Sequence, residues 1–266
     1  MTARHFIVVS DLHCGSIVAL CPPDLVSVEE GTPIPQNDWQ KWLWEHWEDF
    51  WRWTATQTST GDDVTLMVNG DLIEGNHHRS VQAWPETADH VNAAIAVLQP
   101  IARQVTRTYV VVGTEAHTKN VEHGIARAIG AETHPDGRHA ADVLEVDADD
   151  QLLVWAHHCS TTSRAWLTSG EPGRLISNAR LAAINAGHKP PNFVGAAHRH
   201  RMDYWTDGGR QHCVIGPSWQ LLTRYGYKVV THEKPHVGGY IVTVDSGKIT
   251  CTPKRWDVPE RKRVKL

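Results

Sequence analysis

Five short apolar runs, each followed at once by side chains that bind metals or protons, constrain this chain more than any other feature. They are Phe6–Val9, Val64–Val68, Tyr109–Val112, Leu152–Trp155 and Phe193–Ala197. Their length and β-branched content predict buried strands. Helical patterns lie near 38–58, 85–104, 119–129 and 174–186. Strand–helix alternation of this kind predicts an α/β fold, with a mixed or parallel sheet flanked by helices. After residue 200 the pattern turns to strands only: Gln211–Ile215, Tyr240–Val244 and Lys248–Cys251, the last two around Asp245-Ser246-Gly247. That change predicts a second, more antiparallel sheet within the same domain. Residues 1–253 are read as one domain and 254–266 as a basic tail.

The residues after each run are the informative ones. Phe6–Val9 leads into Ser10-Asp11-Leu12-His13, and Val64–Val68 into Asn69-Gly70-Asp71-Leu72-Ile73-Glu74-Gly75-Asn76-His77-His78. Tyr109–Val112 leads into Gly113-Thr114-Glu115-Ala116-His117, Leu152–Trp155 into Ala156-His157-His158, and Phe193–Ala197 into His198-Arg199-His200. Ligands of open α/β sheets bind in the crevice outside the carboxyl ends of the strands. Five strand ends thus place Asp, Glu and His on one rim. The chain holds 18 histidines, so about one H-x-H and one H-H are expected by chance, and single motifs carry little weight. Their consistent placement after strands is what chance does not supply.

Composition narrows the class. With 41% apolar and 21% charged residues in 266, the chain is globular. No apolar run approaches the roughly 18 residues of a membrane span, and Phe6–Val9 is too short for a signal-peptide core. The expectation is a cytoplasmic protein with no membrane partner. Five cysteines without C-x-x-C spacing read as reduced thiols. The tail carries a formal +4 and the rest of the chain −8. An acidic body disfavours non-specific nucleic-acid binding, while the tail can still touch phosphates. The pattern at 38–58 holds six of the twelve tryptophans and spreads its apolar residues over roughly 200° of the helix, against the ~100° that one buried face needs. It is expected to be covered on two sides, by the core and by a loop or a second copy of the chain.

The donor chemistry is coherent. In an extended segment residues i and i+2 point the same way, so Asp11 with His13, and His198 with His200, can each present two ligands together. A carboxylate–imidazole set without thiolate suits Mn²⁺, Fe or Zn²⁺. Seven or so donors are too many for one ion and suit two, spaced ~3.5–4 Å with a bridging carboxylate and hydroxide, for in-line displacement at phosphorus.

The order D-x-H (Asp11, His13), G-D-x-x-E-G (Gly70, Asp71, Glu74, Gly75), G-x-x-x-H (Gly113, His117), a histidine after a strand, and H-x-H (His198, His200) resembles the calcineurin-like metallophosphoesterases, above all compact stand-alone enzymes of phages and bacteria. The resemblance implies an αββα sandwich of two mixed sheets with a two-metal site at the strand ends. Carried over, Asp11, His13 and His200 hold the first metal, Asp71 bridges, and His198 with a histidine of the 157–158 pair holds the second. His158 is the expected ligand, with His157 supporting from behind, and His157 is the alternative. Mn is the expected metal, with Fe, Zn or Ni as alternatives.

The third motif departs from the family's G-N-H-(D/E). Glu115 is the expected substitute for the missing Asn, with Thr114 as the alternative, and His117 is the expected general acid. Asn76, His77, His78 and Arg164 are expected near the metals or the substrate. The resulting expectation is a two-metal phosphodiesterase, with DNA or RNA as a candidate substrate, using a metal-bridging hydroxide as nucleophile. The alternatives are a phosphomonoesterase of small substrates or nucleotides, and a non-catalytic binding protein on the same fold. Helix 38–58 is the expected surface of any homo-oligomer.

Overall fold

The computed structural model describes residues 2–76, 81–118, 121–158, 170–224, 226 and 234–259, with the side chains of 116 and 118 excepted. Strand β1 (Arg4–Val9) lies between β2 (Asp63–Asn69) and β10 (Val237–Asp245) in a six-stranded sheet of order β11-β10-β1-β2-β3-β4. Here β3 is Arg107–Val111, β4 is Ala140–Ala141 and β11 is Lys248–Trp256. The second sheet has the order β5-β6-β7-β9-β8, from Val143–Ala148, Gln151–Ala156, Phe193–Ala196, His212–Ile215 and Asp203–Thr206. Both sheets are mixed. In the first, β1 to β4 run parallel, with β10 antiparallel to β1 and β11 antiparallel to β10. In the second, β6, β7 and β9 run parallel between antiparallel β5 and β8.

The strands after residue 200 do not make a sheet of their own, which corrects the expectation. β9 pairs in parallel with β7, while the β10–β11 hairpin adds to the first sheet beside β1. Alternation within β10 explains why it can sit centrally. Tyr240, Val242 and Val244 face the second sheet, and Ile241 faces the helices. β11 continues to Trp256, so Lys254 and Arg255 are ladder residues and not the start of a free tail.

Alternation also sorts the layers. Phe6, Val8, Met67 and Val111 of the first sheet meet Leu153, Trp155, Phe193 and Val214 of the second. Ile7, Val9, Leu66, Val68 and Val110 turn the other way, onto α1 (Asp38–Gln57), α2 (Thr87–Ala102) and α4 (Glu122–Ile129). Helix α5 (Glu171–Asn185) covers the outer face of the second sheet through Ile176, against Val194 and Cys213. This is the αββα sandwich.

Helix α1 starts on a capping box: Asn37 Oδ1 accepts from the Trp39 and Gln40 amides, and the Gln40 side chain returns to the Asn37 amide. Its wide apolar face is filled from within the chain. Leu43, Trp47 and Phe50 are buried, and Trp219 packs against Trp47 and Phe50 at 4.8 and 5.8 Å. On a second side Trp256 of β11 meets His46, which lies on Trp42. Of the six tryptophans in α1 only Trp39 is exposed. Among the described residues no helix is long and apolar enough to cross a membrane, and the described cysteines are free thiols.

Candidate metal centre

The parallel strands end in register, Val9 beside Val68 and Asn69 beside Val111, so their loops emerge at one edge. Backbone hydrogen bonds carry the alignment beyond the strands. The Asp11 amide donates to Gly70 O at 2.9 Å, His13 to Asp71 O at 3.0 Å and Cys14 to Leu72 O at 3.1 Å. On the other sheet Ala197 N donates to His157 O at 3.0 Å. The donors therefore come from both sheets: Asp11, His13 and Asp71 from the first, His157, His198 and His200 from the second.

Asp11, His13, Asp71, His198 and His200 all have left-handed backbones, with φ between 45° and 71°. Non-glycine residues rarely adopt this conformation, and it costs of order 1–3 kcal/mol each where it is held by the surroundings. The extended geometry assumed for the D-x-H and H-x-H pairs is thus corrected. The paired side chains converge through kinks at the donor residues themselves.

Of three groups of candidate donors, that of His13, Glu74 and His117 stays within the first sheet's loops, and two draw on both sheets. Asp11, His13 and His200 form one, with His13 Nε2 3.1 Å from His200 Nε2, and Asp11 Oδ1 3.4 Å from His200 Nε2. Asp71, His157 and His198 form the other, with Asp71 Oδ2 3.1 Å from His157 Nε2 and 3.8 Å from His198 Nδ1. The groups adjoin: Asp71 Oδ2 lies 3.8 Å from His13 Nε2, and Asp11 Oδ1 lies 3.8 Å from His157 Nε2. His157, and not His158, enters the set. β6 ends at Ala156 and the buried His157 ring turns inward, while the exposed His158 lies outside, 5.0 Å from the His198 ring.

The third loop also differs from expectation. Glu115 opens the one-turn helix α3 (Glu115–Thr118), is exposed, and belongs to none of the donor groups. Thr114 instead stands beside Asp71. Its amide donates to Asp71 Oδ1 at 2.6 Å, and its hydroxyl lies 3.2 Å from both Asp71 Oδ2 and His198 Nδ1. Helix formation starting at residue 115 swings the longer acidic side chain away. His117 donates from Nδ1 to Glu74 O at 2.8 Å, and its ring stands edge-on to His13 at 4.8 Å. Asn76 is exposed and outside the groups. His77, His78 and Arg164 lie outside the described residues.

Three supporting side chains were not expected. Glu74, quoted only as part of its motif, sets Oε2 3.0 Å from His13 Nδ1 and accepts from Gln220 Nε2 at 2.7 Å. A carboxylate at one imidazole nitrogen fixes the tautomer that leaves the other nitrogen free to bind. Glu122, the first residue of α4, is fully buried and accepts from the Leu72 and Gly113 amides. An acidic residue in a first helical turn is ordinary, so nothing in the sequence marked it.

These residues fit divalent ions. Asp11 Oδ1 is fully buried and accepts no hydrogen bond, although imidazole nitrogens of His200, His157 and His13 surround it at 3.4, 3.8 and 4.0 Å. A buried oxygen so placed is costly unless a cation or proton neutralises it. Electrostatics agree. Burial opposes charge on His157, yet Asp71 and Asp11 outweigh it and push its pKa up to about 10. Burial likewise opposes ionisation of Asp71, but His157 and His198 hold its carboxyl well below the usual range. Burial raises Glu122 to about 7 against the pull of its two amide donors.

A pH dependence follows for protein stripped with a chelator. The folded His157 value lies above the ordinary 6.5, so its stabilisation is complete below that pH and is lost as pH rises through about 10. Melting temperature should therefore fall between about pH 7 and 9.5, and should depend less on pH with Mn²⁺ present, because an ion displaces the proton. Thermal melts with and without Mn²⁺ check this; a flat profile in chelator contradicts it.

Asp71 thus stands between two imidazole-rich groups, at the ends of both sheets of an αββα sandwich. Solved structures resemble this chain at low identity. A dimetal phosphatase from Danio rerio is 10% identical with TM-score 0.46, covering 95% of this chain and 96% of its own. An archaeal phosphodiesterase is 10% identical with TM-score 0.45, over 95% and 99%. A predicted phosphoesterase from Streptococcus pneumoniae is 12% identical with TM-score 0.39, over 96% and 98%. No model of a known protein family and no curated protein sequence matches the chain.

Proposed function

We propose that this metallophosphoesterase fold hydrolyses phosphodiesters in a metal-dependent reaction, with nucleic acid as the candidate substrate. The observation that carries the reading is the pair of adjoining donor groups joined through Asp71. Asp11, His13 and His200 would hold one divalent ion, His157 and His198 the other, and Asp71 would serve both. Such ions supply positive charge for a phosphoryl oxygen and lower the pKa of bound water. Mn²⁺ suits the oxygen and imidazole donors, as would Fe or Zn²⁺.

The protein's own side chains do the rest. Asp11, His13, Asp71 and His157 are buried, whereas His198 and His200 are partly exposed, so substrate meets the centre on the His198–His200 side. Three arginines lie there, two of them balanced by carboxylates: Arg199 is 3.5 Å from Glu171 and Arg201 is 3.5 Å from Asp203, while Arg255 Nη1 lies 3.3 Å from His236 Nδ1. The His236 amide in turn donates to His200 O. Arg255 on this margin supports a diester substrate over a small monoester, since it can meet phosphate beyond the reacting one. His117, anchored through Nδ1 on Glu74 O, is placed to give a proton from Nε2 to the leaving oxygen. Trp39 is the residue of α1 left to meet a strand or a second copy of the chain.

The test is hydrolysis of bis-p-nitrophenyl and p-nitrophenyl phosphate by Mn²⁺-loaded protein. We expect the diester to be cleaved faster, His157→Ala to lose more than about 100-fold, and His158→Ala to stay within a few-fold. Preference for the monoester would replace the substrate class. Loaded protein inert on both would leave a binding role, which the altered third motif would then explain.

A further inference from the structure

Glu122 sits behind the metal centre without touching it. Its side chain is fully buried at the start of α4, and no Lys, Arg or His forms an ion pair with it among the described residues. Oε1 accepts from the Leu72 amide at 3.1 Å and Oε2 from the Gly113 amide at 2.6 Å. Leu72 directly follows Asp71, and Gly113 directly precedes Thr114. The two oxygens of one carboxylate therefore join the loop after β2 to the loop after β3, each one residue from the atoms that meet at Asp71.

We propose that Glu122 is a positioning residue that clamps these two loops and so sets Asp71 against Thr114; this rests on the metallophosphoesterase reading. Both amides point into a dry region, where an unmet N–H is expensive, and both are donors. The bridging group must therefore offer two acceptors and no donor, which among side chains of this length only a carboxylate does. The clamp is itself rigid. Ile125, Ala126 and Ile129 of α4 lie in the core with Val97 and Leu98 of α2. Gly113 completes it: a Cβ there would overlap the Asp71 amide nitrogen and Oδ1, so the loops touch backbone to backbone. Thr114 N then reaches Asp71 Oδ1 at 2.6 Å, which orients the carboxylate whose Oδ2 faces both donor groups.

The test uses the full chain carrying Glu122→Gln. The carboxamide keeps one acceptor and turns an NH₂ towards the other amide, so one loop is released. We expect a folded protein in which amide exchange at Leu72 or Gly113 quickens at least 10-fold. Calorimetric Mn²⁺ affinity should weaken about 10–100-fold, the usual effect of losing an outer partner of a metal ligand. Hydrolysis of bis-p-nitrophenyl phosphate should lose kcat at low Mn²⁺, recover at high Mn²⁺, and keep its KM. Folded Glu122→Gln with unchanged exchange and unchanged Mn²⁺ affinity overturns the proposal. Should that variant not fold, Glu122→Asp, which retains charge but reaches only one amide, must show the same pattern or the proposal falls. If wild-type protein neither binds Mn²⁺ nor cleaves the diester, the phosphoesterase reading fails instead, while amide exchange still decides whether Glu122 clamps the loops.

Discussion

Asp71→Asn is expected to remove metal-dependent hydrolysis by more than about 100-fold and to abolish high-affinity binding of a second Mn²⁺. Asp71 is 1% exposed and has imidazole nitrogens of His157, His13 and His198 3.1, 3.8 and 3.8 Å from Oδ2. The Thr114 amide holds its Oδ1. Asparagine can keep that hydrogen bond, so the loop should retain its course. What changes is the other atom: a neutral NH₂ donor now faces donors or cations, and the charge that served both groups is gone. Loss of an outer partner costs about 10–100-fold in metal affinity or activity, so loss of the shared ligand must exceed that range. Removing one member of a buried charge pair also costs about 3–5 kcal/mol, so the chelator-treated variant should melt lower than chelator-treated wild type. Calorimetric Mn²⁺ titration and diester hydrolysis check the expectation. Wild-type affinity and rate in Asp71→Asn would remove the foundation of the site.

Gly113→Ala should be nearly as severe, by a different route. The new methyl would overlap the Asp71 backbone nitrogen and Oδ1 and lie 2.9 Å from Asp71 Cα. None of these is the yielding end of a long side chain. Overpacking commonly costs about 1–3 kcal/mol, and contact with backbone on a clamped loop places this case at the upper end. The loop after β3 must move outward, taking Thr114 from Asp71 and His198. Expected together are a melting temperature lower by several degrees and loss of diester hydrolysis. By contrast, alanine at Gly124, whose Cβ would meet nothing within 4 Å, serves as the matched control. Equal stability and activity in both variants would contradict the packing argument.

Particular residues show how much was legible beforehand. Each strand announced by an apolar run exists, because a central strand buried on two faces has no room for polar side chains. The strands that gave no such signal are β4, β5 and β8, and all three lie at sheet edges. β4 is two alanines, and β5 and β8 carry acidic residues in Val-Leu-Glu-Val-Asp-Ala and Asp-Tyr-Trp-Thr. Edge strands are short and charged for reasons of their own, so hydrophobic pattern misses them. Nor does pattern say which sheet a hairpin joins, and β10–β11 went to the first. At the site, the rim itself was readable because strand polarity places the loops. Its register was not. Whether His157 or His158 turns inward depends on where β6 stops, and whether Thr114 or Glu115 stays near Asp71 depends on where α3 begins. Both are one-residue questions of the kind local propensity leaves open. The left-handed backbones at Asp11, His13, Asp71, His198 and His200 had no sequence mark at all, since Asp and His tolerate that region without announcing it.

The Asp11–His13–His200 and Asp71–His157–His198 groups each draw on both sheets of the sandwich, and this has a mechanical consequence. Elsewhere the sheets meet through side chains such as Phe6, Trp155 and Phe193, contacts that can slide without breaking abruptly. An ion shared by Asp11, His13 and His200 would instead staple points nearly 190 positions apart in the chain, and the second ion would join residue 71 to 157 and 198. Chemically these are removable cross-links at one end of an otherwise apolar seam. Their withdrawal would loosen that end first, so a chelator would act on the hinge between the two sheets as well as on the chemistry.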